Sequence, residues 1–232
     1  MTRQDVPIVT IDGPGGAGKG TIAQAIAARL DWHFLDSGAI YRLLALDSLE
    51  AGIAVDDLSA LTARSQALQI EFPTVGPQAG EVLLNGVVVT TAIRDEACGA
   101  RASELAAIPA VRDALLARQR AFRQWPGLVA DGRDMGTVVF PDAAVKIFLT
   151  ASAEERARRR HKQLMEQGVS ANLADLLQEL RARDQRDMNR AVAPLAPAED
   201  AISVDTTSMD VEAVIRTVME QVEACIPNGG AV

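Results

Sequence analysis

Apolar runs and glycine-rich turns succeed one another along this chain in a strand-then-helix order. Ile8-Val9-Thr10-Ile11 is a continuous buried-strand pattern. A glycine-rich turn follows, and then Ile22, Ala25, Ile26 and Leu30 recur at helical spacing, predicting a helix over Thr21–Leu30 that begins near Gly20. Trp32-His33-Phe34-Leu35 reads as a second strand ending in Asp36-Ser37-Gly38. Ile40 to Glu50 is helical by the same spacing, with Gly52 closing it, and Asp56-Asp57 caps a helix running through Leu68.

The pattern changes between Gln69 and Thr91. Ile70-Glu71-Phe72 alternates, Pro73 to Gly80 is rich in turn formers, and Val82 to Val89 encloses Asn85-Gly86, a strong hairpin signal. These features predict a small antiparallel sheet inserted in an otherwise parallel chain. Helices over Asp95–Ala107 and Val111–Trp125 follow, separated at Pro109. Leu128–Ala130 and Val145–Leu149 are buried-strand patterns, and Ser152-Ala153-Glu154-Glu155 is a capping box opening an arginine-dense helix. Asn172 caps a helix to about Asn189, Ala193–Pro197 is a loop, Ala201–Val204 a last strand and Val211–Ile226 a last helix. The alternation predicts an α/β fold, a parallel sheet with helices on both faces. No internal repeat or low-complexity tract is present.

Composition narrows the class. The 232 residues are 48% apolar and 23% charged, a globular balance with room for one large α/β domain and a small insert. No apolar run reaches the roughly 18 residues of a membrane span, and the first residues are polar, so neither a span nor a signal peptide is expected. Cys98 and Cys225 read as free thiols in a reducing cytoplasm. With His33 and His161 as the only histidines, an imidazole-based triad or metal site is nearly excluded, and both read as packing or surface residues, like Trp32 and Trp125. The net charge of −8 argues against general nucleic-acid binding. Basic residues nevertheless outnumber acidic ones from Ala151 to Arg190, which suits a small anionic ligand better than a long polyanion.

The turn after the first strand carries the sharpest chemistry. Gly13-Pro14-Gly15-Gly16-Ala17-Gly18-Lys19-Gly20-Thr21 holds the only lysine before Lys146. Glycines let successive backbone N–H groups converge on one anion, and the following helix adds its positive N-terminal end. Lys19 adds a mobile full charge for the outer phosphates of a nucleoside triphosphate. The match to G-x-x-x-x-G-K-[ST] is incomplete, because Gly20 stands where the hydroxyl is expected and Thr21 carries it one residue later. That variant is the one found in nucleoside-monophosphate kinases.

Two further places are site-type positions, since ligands of open α/β sheets sit at the carboxyl ends of strands. One is Asp131 with Arg133 and Asp134, after Leu128–Ala130; the other is Asp36-Ser37. Arg183, Asp187 and Arg190 share one helix face, as do Arg156 and Arg160. Spacing alone favours solvated faces with weak ion pairs for both sets, and for Arg158, Arg159 and Lys162.

Taken together, these blocks resemble the bacterial cytidylate kinases, P-loop nucleoside-monophosphate kinases. The resemblance rests on Ile11–Thr21, on Leu35-Asp36-Ser37-Gly38-Ala39-Ile40-Tyr41-Arg42, on Ala130–Pro141 with its Asp131-Gly132-Arg133-Asp134-Met135-Gly136-Thr137, and on Arg183–Pro194. It implies a single P-loop kinase unit over 1–232, an insert lobe over 65–105 in the monophosphate-binding region, and a short helical lid with its adjoining helix over 154–190. The implied reaction is direct in-line transfer of the ATP γ-phosphoryl group to CMP or dCMP, in pyrimidine metabolism.

The resemblance also implies residue roles. ATP would be bound by Gly13, Pro14, Gly15, Gly16, Ala17, Gly18, Lys19, Gly20 and Thr21, with Arg156 and Arg160 from the lid. CMP would be bound by Ser37, Tyr41, Arg42, Ser103, Arg112, Arg133, Asp134, Arg183, Asp187 and Arg190. Among these, Arg42, Arg133, Arg183 and Arg190 match phosphate-holding positions, Ser37 and Asp187 sugar contacts, and Ser103, Arg112 and Asp187 the pyrimidine edge. Lys19, Arg133, Arg160 and Arg190 would act on the transferring group. Mg²⁺ would be held by Thr21 and, through water, by Asp131. The implied partners are ATP and CMP or dCMP, with no nucleic acid and no membrane, in a cytoplasmic monomer.

Two rivals stay open at this stage. A UMP/CMP or AMP kinase shares the phosphate-loop variant, though the hairpin insert, Ser103 and Arg112 favour the cytidylate reading. A P-loop switch module is opposed by Gly20 after Lys19 and by the lack of an Asn-Lys-x-Asp motif.

Overall fold

Strand β1 (Ile8–Asp12) is buried along its whole length and lies at the centre of the main sheet. The computed structural model describes residues 5–166, 168–190 and 192–226. The sheet has five parallel strands, with β2 (His33–Asp36), β6 (Leu128–Gly132), β1, β7 (Val145–Thr150) and β8 (Ile202–Asp205) in that order across it. Strands covered on both faces need apolar side chains on both, which is why β1, β6 and β7 are mostly apolar, interrupted within them only by Thr10 and Lys146 before their polar carboxyl ends. Around the sheet stand the α-helices α1 (Lys19–Leu30), α2 (Ser37–Glu50), α3 (Leu58–Ala67), α4 (Glu96–Leu105), α5 (Pro109–Ala121), α6 (Ala153–Glu166), α7 (Leu173–Met188) and α8 (Val211–Cys225). Ile8, Ile11, Ile26, Leu35, Ile40, Leu43 and Leu44 are fully buried in the core. Each contributes roughly 1.5–3 kcal/mol by leaving water.

Register decides what meets at the carboxyl edge. Asp12 of β1 pairs with Gly132, and Asp36 of β2 pairs with Asp131. Three carboxylates are thereby brought to the strand ends beside the glycine-rich turn.

The insert forms as the alternation predicts. β3 (Ile70–Glu71), β4 (Leu83–Leu84) and β5 (Val87–Val88) make a three-stranded antiparallel sheet. Asn85 (φ 52°) and Gly86 (φ 77°) both take the left-handed conformation that a two-residue hairpin turn requires. Phe72, just past β3, packs edge-on against Phe34 at 5.8 Å and against Phe122 at 5.6 Å, so the lobe is pinned to the main body by apolar contact.

Several boundaries differ from those read in the sequence, each for a local reason. α1 begins at Lys19, because Gly18 (φ 90°) lets the chain enter the helix two residues earlier than the apolar spacing shows. α2 begins at Ser37 rather than Ile40, because the Asp36 carboxylate accepts the Ala39 N–H at 2.8 Å and caps the helix. Pro109 opens α5 in its first turn, where its missing N–H costs nothing, and the helix ends at Ala121. The capping box of α6 is half formed. Ser152 Oγ accepts the Glu155 N–H at 3.2 Å, but the Ser152 N–H goes to Thr207 Oγ1 at 3.0 Å, leaving Glu155 to pair with Arg158 and Arg159. A π-helical turn over Met135–Val139, which no periodicity announced, follows β6.

Candidate active site

The glycine-rich turn is built between β1 and α1 with little latitude. Gly13 sits at φ 147°, and a methyl group there would lie 2.0 Å from the Leu149 carbonyl oxygen of β7. The loop can pass this close to the sheet only without a side chain. No side chain caps the N-terminus of α1, so its first N–H groups are left for a ligand. Lys19 Nζ donates to the Pro14 carbonyl at 3.0 Å and lies 3.8 Å from Asp131 Oδ1. A side chain at Gly20 would begin 3.3 Å from Asp131 Oδ2. A side chain there is admitted only if the Asp131 carboxylate gives way by a few tenths of an ångström. Thr21, one residue on, is exposed.

Burial shapes the charges at this edge. It raises the Asp131 carboxyl to about 7, against the pull of the Lys19 ammonium and with the push of Asp36. Burial likewise lowers the Lys19 ammonium, which Asp131 partly restores. Asp12 is raised to about 6 by burial even though it accepts two backbone hydrogen bonds, from Met135 N at 2.9 Å and Gly136 N at 2.8 Å. Asp12 thus ties the residue before the phosphate loop to the π-helical turn that follows Arg133 and Asp134. Sequence reading passed over it; its only signal was a carboxylate ending an apolar strand.

Arginines converge on the same edge from four elements. A methyl group at Gly15 would lie 3.7 Å from Arg133 Nη2 and 3.7 Å from Arg183 Nη1, which sets the two guanidiniums side by side against the loop. Arg183 is depressed to about 10, first by burial and then by the charge of Arg133. Arg42 is lowered by burial and feels both Arg133 and Arg160. Its Nη1 donates to the Ile93 carbonyl at 2.7 Å, and Gly99 of α4 comes close enough that a methyl there would sit 3.1 Å from it. The insert region therefore fixes one of the site's arginines. Arg133 Nε donates to Asp187 through a short contact. Arg190, just past α7, is lowered by burial and has a buried Nη2 with no hydrogen-bond partner. So many cations held together repel one another, and an anion between them relieves the repulsion.

The Arg183, Asp187 and Arg190 face is accordingly not the solvated surface that spacing alone favoured, and neither is Arg156. Arg156 is buried, donates from Nη1 to Gly15 O at 2.9 Å, and grips Asp184 of α7 through Nη1 at 3.0 Å and Nη2 at 2.5 Å. It holds the phosphate loop to the α6–α7 pair. Arg160 is half-buried and donates to Gln163 at 2.9 Å. Arg159, read in the sequence as a surface residue, donates to Thr206 Oγ1 at 3.1 Å and to Thr206 O at 2.5 Å beside the loop. Helical spacing cannot say which face of α6 meets the loop; only the docking of α6 does.

A second group of polar side chains lies behind the arginines. Arg112 Nη2 donates to Asp134 Oδ2 at 2.5 Å. Tyr41 is raised by burial and feels Arg112, Asp134 and Arg190. Ser37 Oγ donates to Gln119 Oε1 at 3.0 Å, both being buried. Ser103 is exposed and donates to Gly99 O at 3.1 Å on its own helix. Gln119 was missed in the sequence, because a lone glutamine on an amphipathic helix carries no signal.

The glycine-rich turn at an uncapped helix N-terminus, its buried lysine and the arginines set against it define the molecule as a P-loop phosphoryl-transfer enzyme. The comparisons carry the definition further. The family model described as cytidylate kinase matches residues 9–224. The cytidylate kinase of Stutzerimonas stutzeri (strain A1501) is 56% identical over 218 residues, 94% of this chain and 95% of its own. That of Pseudomonas aeruginosa (strain UCBPP-PA14) is 56% identical over 219 residues, covering 94% and 96%, and that of Aeromonas salmonicida (strain A449) 55% over 228, covering 98% and 99%. The chain belongs to the cytidylate kinase family, ATP-dependent nucleoside-monophosphate kinases that phosphorylate CMP and dCMP.

Proposed function

We propose that ATP lies along the Gly13–Thr21 loop and that CMP or dCMP lies with its phosphate among Arg42, Arg133, Arg183 and Arg190. The observation that carries this reading is the pair of guanidiniums of Arg133 and Arg183 set against Gly15 of the phosphate loop. An acceptor phosphate held there is adjacent to the phosphates of a donor on the loop.

The acceptor oxygen attacks the γ-phosphorus in line with the leaving diphosphate. A phosphate monoester is largely dianionic at neutral pH, so no general base is needed. The arginines offset repulsion between the two anions, and Lys19 leaves Pro14 O and Asp131 for the outer phosphates. Arg160 and Arg190 complete the charge on the transferring group, and the region 154–190 acts as a lid that excludes water when both substrates are bound. Arg156 serves ATP binding by holding the loop carbonyl rather than through a free guanidinium.

Arg112 provides donors for cytosine O2 and N3, beside the carboxylate of Asp134. Ser103 and Asp187 complete the reading edge, and Ser37 and Asp187 hold the sugar. Uracil reverses the pattern at N3 and position 4 and would leave buried groups unpaired.

The donor set at the loop fits Mg²⁺. Among the described residues no group of three or more His, Cys, Asp or Glu could hold a metal by itself, and Mg²⁺ characteristically takes one or two protein oxygens plus phosphates and waters. Thr21 and, through water, Asp131 would hold it, where it would neutralise phosphate charge.

We take the chain to act as a monomer, since its sequence carries no obvious apolar stripe for self-association. ATP as donor, with two free cysteines, favours the cytoplasm. Among the described residues no helix is long and apolar enough to cross a membrane. ADP formation from ATP and Mg²⁺ with CMP, dCMP, UMP and AMP in parallel tests the reading. Activity confined to CMP and dCMP is expected, and equal use of UMP would remove the roles given to Ser103, Arg112 and Asp187.

A further inference from the structure

Asp12 is the last residue of β1, buried and immediately before Gly13 of the phosphate loop. It holds the segment that carries Arg133 at both ends. On one side it is the register partner of Gly132, the last residue of β6. On the other, its Oδ1 accepts the Met135 N–H at 2.9 Å and its Oδ2 accepts the Gly136 N–H at 2.8 Å. Between these fixed points lie only Arg133 and Asp134. An ionised carboxylate suits the task, because both of its oxygens accept and neither donates.

The π-helical turn that follows is seated as closely as it is tied. A methyl group at Gly136 would lie 3.0 Å from Thr10 Oγ1, 3.2 Å from Lys146 Cδ and 3.4 Å from Asp12 Oδ2. At the far end of the turn, Arg120 of α5 donates to the Val139 carbonyl at 2.9 Å and to the Val138 carbonyl at 3.0 Å.

We infer that Asp12 is a positioning residue for the acceptor arginine, fixing the backbone from which Arg133 reaches the phosphate loop. Asp187 holds Arg133 only at its guanidinium. The direction in which the side chain leaves the sheet is set by the short bridge that Asp12 ties down. Gly13 follows Asp12 directly, so donor loop and acceptor arginine share one anchor. A shift of the bridge displaces Arg133 from its place against Gly15, and a misplacement of about 1 Å can cost roughly a hundredfold in rate. Arg112 donates to Asp134 on the same bridge and would be disturbed with it. The inference rests on placing the acceptor phosphate on Arg133.

The test measures kcat, KM for CMP, KM for ATP and thermal midpoint. The variants are Asp12→Asn, Gly136→Ala, Arg133→Ala and the doubles that combine each of the first two with the third. Asp12→Asn keeps the size of the side chain but turns an amide donor toward one of the two backbone N–H groups. It thereby loosens the start of the turn while Arg120 still holds its end. Gly136→Ala presses the turn off β1 with Asp12 intact. Both are expected to lower kcat/KM for CMP about ten- to a hundredfold, with KM for ATP within about twofold. Over Arg133→Ala neither should lower turnover by more than about a further twofold, because the side chain they aim is gone. A purely structural role would lower the midpoint without this dependence on Arg133. Gly136→Ala carries the test if Asp12→Asn does not fold. A rise in KM for ATP to match that for CMP assigns Asp12 to the phosphate loop and overturns the inference. Unchanged kinetics in folded Asp12→Asn, or full multiplication of its effect over Arg133→Ala, overturn it as well. All three leave the acceptor placement standing, whereas normal turnover and KM for CMP in Arg133→Ala overturn the placement itself.

Discussion

Lys19 Nζ and Asp131 Oδ1 face each other across 3.8 Å at the base of the phosphate loop, with side chains only 9% and 11% exposed. The lysine is held ready by a carboxylate and a carbonyl, both of which a phosphate chain must displace. Lys19→Met removes the one mobile cation of the loop and is expected to lower turnover by roughly 10²–10³, the scale of a lost transition-state charge contact. Circular dichroism should show the fold kept, because Asp131 without Lys19 takes up a proton instead of remaining a buried charge.

Gly20→Ser places the hydroxyl where most phosphate loops carry one, and is expected to harm rather than help. Its Cβ would start 3.3 Å from Asp131 Oδ2, so the carboxylate that faces Lys19 must give way by a few tenths of an ångström. Turnover should fall about tenfold, with a smaller change in thermal midpoint. A gain in activity would show that Asp131 yields without cost.

Asp12 gives a pH signature. Its folded pKa of about 6 lies above the ordinary carboxyl value of 3.8, so the folded state binds more protons between those values. Stability from this group is fully present below about pH 4 and is lost as pH rises to about 6, a change of roughly 3 kcal/mol at 1.36 kcal/mol per unit. Asp12→Asn lacks that titration and leaves one of the two backbone N–H groups facing an amide donor, at about 1–3 kcal/mol. The stability deficit of Asp12→Asn against the parent, from urea unfolding, should therefore be largest at pH 4 and smallest above pH 6. A deficit independent of pH would falsify this assignment.

Arg156 and Asp184 form a two-point contact between α6 and α7 with 4% and 14% of the side chains exposed. Removing one partner strands a buried charge, so Arg156→Met is expected to cost about 3–5 kcal/mol, and Asp184→Asn a similar amount. Combining Arg156→Met with Asp184→Leu should recover much of the loss. Unfolding curves of the singles and the double decide it. KM for ATP should rise in Arg156→Met as well, since Arg156 also holds the Gly15 carbonyl.

Arg133→Ala is expected to lower turnover about 10³-fold while the chain stays folded. The lost guanidinium serves the acceptor phosphate, and the Asp187 it releases is near enough to solvent, at 15% exposure, to be hydrated. Near-normal turnover would take Arg133 out of the site.

The parts of this protein legible in its sequence are those that depend on neighbours along the chain. Ile8–Ile11 before a glycine run, the Asn85-Gly86 turn and the Asn172 cap are local agreements between side chain and backbone, and each formed where expected. The phosphate loop was readable for the same reason, since one segment supplies its glycines, its lysine and its helix. The acceptor side draws on residues far apart in the chain. Spacing put Arg156 and Arg183 on helix faces without saying what those faces touch, so both read as solvated until the docking of α6 and α7 against the loop buried Arg156 and half-buried Arg183. The resemblance to a family named the acceptor arginines, but neither it nor periodicity pointed to Asp12 or Gln119, whose partners lie 82 or more residues away. Only the tertiary structure decided that Asp131 stands in tight contact with where a side chain at Gly20 would begin, and that three carboxylates and a cluster of arginines meet at one sheet edge. Charges held that close are set by register and packing, and burial then determines how each of them titrates.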